Sequence, residues 1–132
     1  MQNTILTVDD SNSVRLLIAI TLRQSGYRVL EADSGAEALE LLKRECVDMV
    51  ISDLIMPDMD GIELTRKISN LQADRKVPVI ILTTDLQKSR LEEAKEAGAI
   101  GWMIKPFTAG DLEVVVRKVL EKTARAASGS HD

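Results

Sequence analysis

The chain has 132 residues, the length of a single domain with a substantial hydrophobic core. Its 45% hydrophobic residues are typical of a globular protein, 2% aromatics indicate an aliphatic core, and a net charge of −4 argues against nucleic acid as the main partner. A single cysteine, Cys46, excludes an intramolecular disulfide and is expected to be a small buried residue. No apolar run is long enough for a membrane span, so we expect a cytoplasmic protein.

The first half of the chain alternates short apolar runs with helical patterns. Thr4–Val8 is predicted as a strand that ends at an acidic pair, and Ser11 or Asn12 can cap the helix that follows. The apolar residues of this helix have helical spacing: Val14, Leu17, Ile18 and Leu22. Residues 28–32 and 49–52 are predicted as strands. Ser34 can cap a second helix that faces the core with Ala38, Leu39 and Leu42, and a third helix is marked by Leu64, Ile68 and Leu71.

The second half continues the alternation. Residues 79–82 are predicted as the most clearly buried strand, and residues 87–97 as a helix that Gly98 ends. This fourth helix is rich in charge and poor in apolar residues, so we expect it to dock weakly and to move. Residues 101–104 predict a fifth strand. The last helix has a strong apolar face: Leu112, Val115, Val116, Val119 and Leu120. We expect residues 1–124 to form the domain and residues 125–132 a disordered tail.

Five strands that alternate with five helices indicate an α/β fold with a parallel sheet covered on both faces. With right-handed crossovers, five strands fit the flavodoxin-like doubly wound order 2-1-3-4-5.

The residues that follow the strands point to a functional site. In a parallel sheet all carboxyl ends lie at one edge, and strands one and three are neighbours, about 4.8 Å apart. This edge therefore collects three acids, a hydroxyl and an amine: Asp9, Asp10, Asp53, Thr83 and Lys105. The fifth strand lies about 10 Å from the third, a distance that a lysine side chain can span.

Three carboxylates in one cleft repel each other and need positive charge. Lys105 supplies one charge, and a set of oxygen ligands without His or Cys selects a hard cation, for which Mg²⁺ is our prediction. Asp53 would then be a nucleophile that forms an acyl phosphate, since phosphoryl transfer needs mainly positioning and charge neutralisation.

These residues give the chain a family resemblance. It resembles the receiver domain of the two-component response regulators over roughly residues 4–122. The matching motifs agree in order and spacing: Asp9-Asp10, the loop 53–61 with Met56-Pro57 and Met59-Asp60-Gly61, Thr83, and Lys105-Pro106-Phe107. The segment 101–107, without an output domain after it, is most similar to stand-alone chemotaxis response regulators.

The resemblance implies a specific role for each residue of the site. Asp53 is the expected phosphoacceptor. Asp10, Asp53 and the backbone carbonyl of Ile55 are expected to bind Mg²⁺ directly, and Asp9 largely through water. The hydroxyl of Thr83 and the ammonium of Lys105 are expected to hold phosphoryl oxygens.

The resemblance also implies that the Lys105–Pro106 peptide is cis and that Trp102 is a switch residue, which turns inward on activation together with Thr83. Ile55 has an apolar side chain beside Asp53 and cannot position an attacking water. We therefore predict that the lifetime of the phosphoryl group depends more on Asp85.

The leading functional hypothesis is a monomeric phosphorylation switch that catalyses its own phosphorylation and dephosphorylation. A histidine kinase, of the chemotaxis type, is the expected donor. A protein such as the flagellar motor switch is the expected target of a surface on the fourth helix, fifth strand and fifth helix. A phosphatase is a further possible partner, whereas no nucleic-acid or membrane partner is expected.

Three alternatives stay open. The first is a receiver that acts as a phosphate sink or relay in a pathway other than chemotaxis. The second is a phosphatase that works through an aspartyl phosphate, although such an enzyme would need an acid at the position of Ile55. The third is a flavin- or nucleotide-binding module, although the loop 9–13 lacks the glycines that cradle a phosphate.

Overall fold

Five short apolar runs form one parallel sheet at the centre of the protein. The computed structural model describes residues 2–71, 76–84 and 88–129, and the side chains up to residue 124. The strands, in chain order, are β1 (Thr4–Val8), β2 (Arg28–Ala32), β3 (Met49–Asp53), β4 (Val79–Thr83) and β5 (Gly101–Ile104). They lie in the order β2-β1-β3-β4-β5, and all neighbouring pairs are parallel. The predicted α/β fold and strand order are therefore confirmed.

Helices follow each of the five strands. They are α1 (Asn12–Gln24), α2 (Gly35–Arg44), α3 (Gly61–Leu71), α4 (Lys88–Ala97) and α5 (Ala109–Gly129). The predicted caps are present: Ser11 accepts a hydrogen bond from the Val14 N–H, and Ser34 accepts one from the Glu37 N–H. After α4, Gly98 has a φ of +116°, a left-handed conformation that favours glycine at the end of a helix. In the described parts of the chain, none of the helices combines the length and apolar character needed to cross a bilayer.

The sheet separates two hydrophobic cores, because alternate residues of each strand face opposite sides. On one side Leu6, Val50 and Ile81 pack with buried residues of α2, α3 and α4. On the other side Ile51 and Leu82 pack with buried residues of α1 and α5. This three-layer arrangement leaves the carboxyl edge of the sheet open between the loops.

Leu17 has the predicted helical spacing but is 60% exposed, because α1 buries the stripe that contains Ile18 and Leu22. The expected burial of Cys46 was wrong. Cys46 is exposed, because it lies in the turn between α2 and β3 and not on the inward face of the helix.

The end of the domain stays a prediction. The helical backbone of α5 continues to Gly129, beyond residue 124, where we expected the tail to begin. Residues 130–132, and Gln87 at the predicted start of the fourth helix, lie outside the described residues.

Helix α4 has little apolar attachment to the body of the protein, as its composition predicted. Among its side chains, Ala94 and Ala97 are buried. Two ion pairs join α4 to α3 and to the residue before it: Arg90 of α4 lies 3.2 Å from Asp60, which precedes α3, and Glu93 of α4 lies 3.5 Å from Arg66 of α3. Partly exposed ion pairs of this kind contribute little to stability, and the weak docking of α4 stays a prediction.

Candidate functional site

The strand register brings the predicted site residues to one edge. Val8 on β1 pairs with Ser52 on β3, so the next residues, Asp9 and Asp53, stand side by side. On the other flank Asp53 pairs with Leu82 on β4, and Thr83 follows as the last residue of that strand. Asp9, Asp10 and Asp53 each place a carboxylate oxygen within 4.8 Å of the others. The predicted convergence of the three acids is present.

Asp9 is the buried member of this acidic cluster, which we define as Asp9, Asp10 and Asp53. Asp9 is 1% exposed, and its Oδ1 accepts a hydrogen bond of 2.9 Å from the Ser11 N–H. Burial raises the pKa of Asp9 above its ordinary value of 3.8, and the charges of Asp53 and Asp10 raise it further, while the Ser11 N–H and Lys105 oppose the rise. The carboxylate therefore lies in a place that disfavours its charge even with the Lys105 ammonium nearby.

Asp53 is partly accessible and faces Lys105. Its Oδ1 accepts hydrogen bonds from the Leu54 N–H at 3.0 Å and from the Lys105 ammonium at 3.1 Å. The same ammonium lies 3.8 Å from Oδ2 of Asp9. Lys105 reaches both carboxylates because its backbone N–H bonds the Thr83 carbonyl at 2.9 Å, which anchors it beside β4. The Lys105–Pro106 peptide is cis, as predicted.

The loop after Asp53 is closed by a glycine that packs against it. The Gly61 N–H donates to the Leu54 carbonyl at 2.8 Å. A Cβ at Gly61 would collide with the Asp53 carbonyl oxygen and lie 3.2 Å from the Leu54 Cα. Because these are backbone atoms, a side chain at this position cannot fit unless the loop moves. The glycine thus sets the path of the chain at the site.

The acidic cluster fits a hard divalent cation. Oδ2 of Asp9 is buried and has no hydrogen-bond partner among the described residues, although it lies with the oxygens of Asp10 and Asp53. Among the described residues, the Lys105 ammonium is the cation that pairs with Asp9 and Asp53. One ammonium does not neutralise three carboxylates, so the cluster keeps an excess of negative charge. Oxygen ligands of this kind suit Mg²⁺ or Ca²⁺ rather than a metal that prefers nitrogen or sulfur. A cavity of about 540 Å³ opens beside Asp10, and its lining includes neither Asp9 nor Asp53.

The remaining predicted residues lie around this cluster. Thr83 is buried at the end of β4, and the side chain of Ile55 is exposed in the loop after Asp53. Trp102 on β5 is 40% exposed and lines a shallow hollow with Lys95 and Ile100. The roles of Thr83, the Ile55 carbonyl and Trp102 stay predictions. Asp85 lies outside the described residues.

Arg15 was not anticipated as part of the site. Its Nη1 donates to the Asp9 carbonyl at 2.6 Å. One signal could have identified it, because a cation near the N-terminus of α1 is unfavourable with the helix dipole and suggests a specific partner.

Comparison with known proteins agrees with this geometry. The family model described as the response regulator receiver domain matches residues 5–117. The chain is 36% identical over 119 residues to the chemotaxis protein CheY-3 of Vibrio cholerae, with 89% of this chain and 92% of that protein covered. It is also 38% identical over 127 residues to the probable transcriptional regulator ycf27 of Guillardia theta. That match covers 96% of this chain but spans 49% of the relative's length.

Solved structures agree as well. The chemotaxis response regulator CheY4 of Vibrio cholerae superimposes with a TM-score of 0.85 at 34% identity, and the match covers 90% of this chain and 99% of that chain. The family-model match over residues 5–117 includes the acidic cluster, Thr83 and Lys105.

Proposed function

This chain belongs to the response regulator receiver domain family, and we propose that it is a phosphorylation-activated signalling switch with Asp53 as the phosphoacceptor. The observation that carries the proposal is the position of Asp53 at the carboxyl edge of the sheet, beside the other two acids and 3.1 Å from the Lys105 ammonium. Its side chain is 14% exposed, so a donor can reach it while the surrounding protein limits the access of water.

Hydrogen bonding distinguishes the two oxygens of the Asp53 carboxylate. Oδ1 accepts from the Leu54 N–H and from Lys105, whereas Oδ2 receives no hydrogen bond from the described residues. We propose Oδ2 as the nucleophile. Its bond to phosphorus forms as the phosphorus–nitrogen bond of a phosphohistidine breaks, and the departing imidazole takes a proton from solvent.

Charge neutralisation is the main catalytic requirement of this transfer. We propose that Asp10, Asp53 and the Ile55 carbonyl hold Mg²⁺ directly, with Asp9 acting through water. When bound, the ion supplies positive charge opposite the phosphoryl oxygens. Lys105 and Thr83 hold the phosphoryl oxygens, and the same groups would assist the later attack of water that removes the phosphoryl group.

The proposed output surface lies on α4, β5 and α5. Strand β5 is an outer strand of the sheet, and its residues Trp102 and Ile104 are 40% and 39% exposed. Ile100 and Val114 add exposed apolar area, and the hollow beside Trp102 has a volume of about 380 Å³. A partner with an apolar segment fits this surface. Because α4 is weakly held, a bias of a few kcal/mol from the phosphoryl group can shift its position.

The similarity to a protein named for chemotaxis supports control of the flagellar motor as the pathway. The histidine kinase and the motor switch are accordingly the proposed partners. A pathway that does not involve the motor is the alternative, since the relative from Guillardia theta is named a probable transcriptional regulator.

The test is phosphorylation with a small phosphodonor such as acetyl phosphate in the presence of Mg²⁺. We expect intact-mass spectra to show one added phosphoryl group that hydroxylamine removes, as it does from acyl phosphates. Asp53→Asn should abolish the adduct. The control Asp58→Asn, at an exposed acid of the same loop, should retain it. An adduct that persists in Asp53→Asn would contradict the proposed phosphoacceptor.

Capture of motor-switch proteins by the protein with and without beryllofluoride then tests the pathway. Enhanced capture with beryllofluoride supports the motor. Equal capture in the two states would refute control of the motor and favour a phosphate sink or relay.

A further inference from the structure

One basic side chain spans the loop that carries Asp9 and Asp10. The side chain of Arg15 is 15% exposed, and its guanidinium has two hydrogen-bond acceptors and one ion-pair partner. Nη1 donates to the Asp9 carbonyl at 2.6 Å, Nη2 donates to the Asn12 side chain at 2.5 Å, and Nε lies 3.4 Å from Glu31 on β2. The planar group therefore joins the acidic loop, the first turn of α1 and the edge strand of the sheet.

The start of α1 does not explain this arrangement. Ser11 already caps the helix through the Val14 N–H, and the first turn contains no acidic residue that Arg15 could pair with. The helix dipole also disfavours a cation near this end. The fork of donors in arginine suits several fixed acceptors at once, which a lysine ammonium cannot match.

The contacts of Asp9 show what the arginine does at the site. The Asp9 N–H donates to the Ala32 carbonyl at 3.1 Å, its Oδ1 accepts from Ser11, and its carbonyl accepts from Arg15. Because these bonds fix the main chain of Asp9 at its N–H and at its carbonyl, the second carboxylate oxygen, Oδ2, is kept close to the other two acids. Arg15 donates to the main-chain carbonyl and not to a carboxylate of the cluster, so its effect on the cluster is one of position.

We propose that Arg15 is a positioning residue for the acidic cluster, which fixes the β1–α1 loop so that Asp9 and Asp10 meet a divalent cation in a set geometry. The proposal rests on the proposed metal site. Partners that orient ligands in this way change metal affinity by roughly 10–100-fold when they are lost.

The chain offers a matched control. Arg23 also lies on α1, bonds the Val29 carbonyl at 3.0 Å and lies 3.3 Å from the same Glu31, yet it has no contact with Asp9. Arg23→Lys removes a carbonyl bond and an arginine–glutamate pair of the same kind away from the site. Arg15→Lys keeps the charge but loses the fork, and Arg15→Met loses both.

The first measurement is Mg²⁺ affinity in the full chain, by titration calorimetry and by Trp102 fluorescence, with thermal melts in EDTA to show that each variant is folded. We expect affinity to fall about tenfold in Arg15→Lys and in Arg15→Met, and to stay within twofold of the wild type in Arg23→Lys. Wild-type affinity in Arg15→Lys would overturn the proposal, and so would an equal loss in Arg23→Lys.

The second measurement needs no metal. Hydrogen exchange of the Ser11 amide, which bonds Asp9 Oδ1, should accelerate at least fivefold in both Arg15 variants and remain unchanged in Arg23→Lys. If the wild type fails to bind Mg²⁺, the proposed metal site fails, while the exchange of Ser11 still decides whether Arg15 orders the loop. Unchanged exchange in the Arg15 variants would overturn the proposal.

Discussion

Replacement of Asp9 by asparagine should stabilise the metal-free protein. Asp9 is 1% exposed, and its Oδ2 has no hydrogen-bond partner among the described residues. Asparagine has nearly the same shape, retains an oxygen for the Ser11 N–H, and can donate to a neighbouring carboxylate. The change therefore removes a buried charge without creating a cavity.

The charges around Asp9 nearly offset each other. At an effective dielectric constant of about 20, the Asp53 carboxylate, which lies within 4.8 Å, repels ionised Asp9 by at least about 3.5 kcal/mol, and the Lys105 ammonium at 3.8 Å attracts it by about 4.4 kcal/mol. The exposed Asp10 adds about 1 kcal/mol of repulsion at the dielectric constant of water. The cost of removing the charge from water remains, and it is several kcal/mol for a buried ion. After subtraction of the smaller cost for a buried amide, we expect a gain of about 2 kcal/mol.

Thermal unfolding followed by circular dichroism in EDTA measures the effect. For a chain of this length, about 2 kcal/mol corresponds to a rise of about 7 °C in the melting temperature. Mg²⁺ should stabilise the wild type by about 2.7 kcal/mol at a hundred times its dissociation constant, and it should stabilise Asp9→Asn less. Glu121→Gln, at an exposed position of α5, changes the net charge equally and should leave the melting temperature unchanged.

The effect of pH gives a second check. The pKa of Asp9 is raised in the folded state, so its ionisation costs stability above that pKa, and this cost vanishes below the ordinary value of 3.8. The advantage of Asp9→Asn should therefore be full at neutral pH and shrink as the pH is lowered toward 3.8. A variant that melts at or below the wild-type temperature at pH 7 would refute this reasoning.

Two further changes test the close packing at Gly61 and the capping of helix α2 by Ser34. Gly61→Ala should cost about 2 kcal/mol and slow phosphorylation by acetyl phosphate, because the new Cβ collides with the Asp53 carbonyl. Gly35→Ala is its control, since there the new Cβ meets the flexible Met59 side chain, and an equal loss in both variants would contradict the steric argument. Ser34→Ala should cost about 1 kcal/mol in urea unfolding, because the Glu37 N–H loses its acceptor. Ser34→Asp should restore most of that loss, and its failure to do so would refute the capping role.

Much of the fold was readable in the sequence because the three central strands, β1, β3 and β4, are buried on both faces and so appear as largely apolar runs. Once the order of the strands was inferred, the convergence of Asp9, Asp53 and Lys105 followed from the common carboxyl edge. The small contribution of α4 to the core was also visible, because a helix with few apolar residues cannot bury much area.

Other features depend on packing that spacing does not determine. Helix α1 is apolar on several sides, with Leu16, Leu17 and Ile20 exposed and Ile18 buried, so spacing alone did not identify the face that meets the sheet. The exposure of Cys46 depends on the path of a turn. The bond from Arg15 to the Asp9 carbonyl depends on the conformation of a long side chain, which local patterns do not specify.

The bond between Lys105 and Asp53 joins residues that are 52 positions apart in the chain. No short fragment contains both, and neither residue meets the other until β3, β4 and β5 have assembled. On the proposed mechanism, a nascent or partly unfolded chain would lack the pairing of Asp53 with Lys105 that phosphoryl transfer needs. Phosphorylation would then be confined to molecules whose sheet is complete.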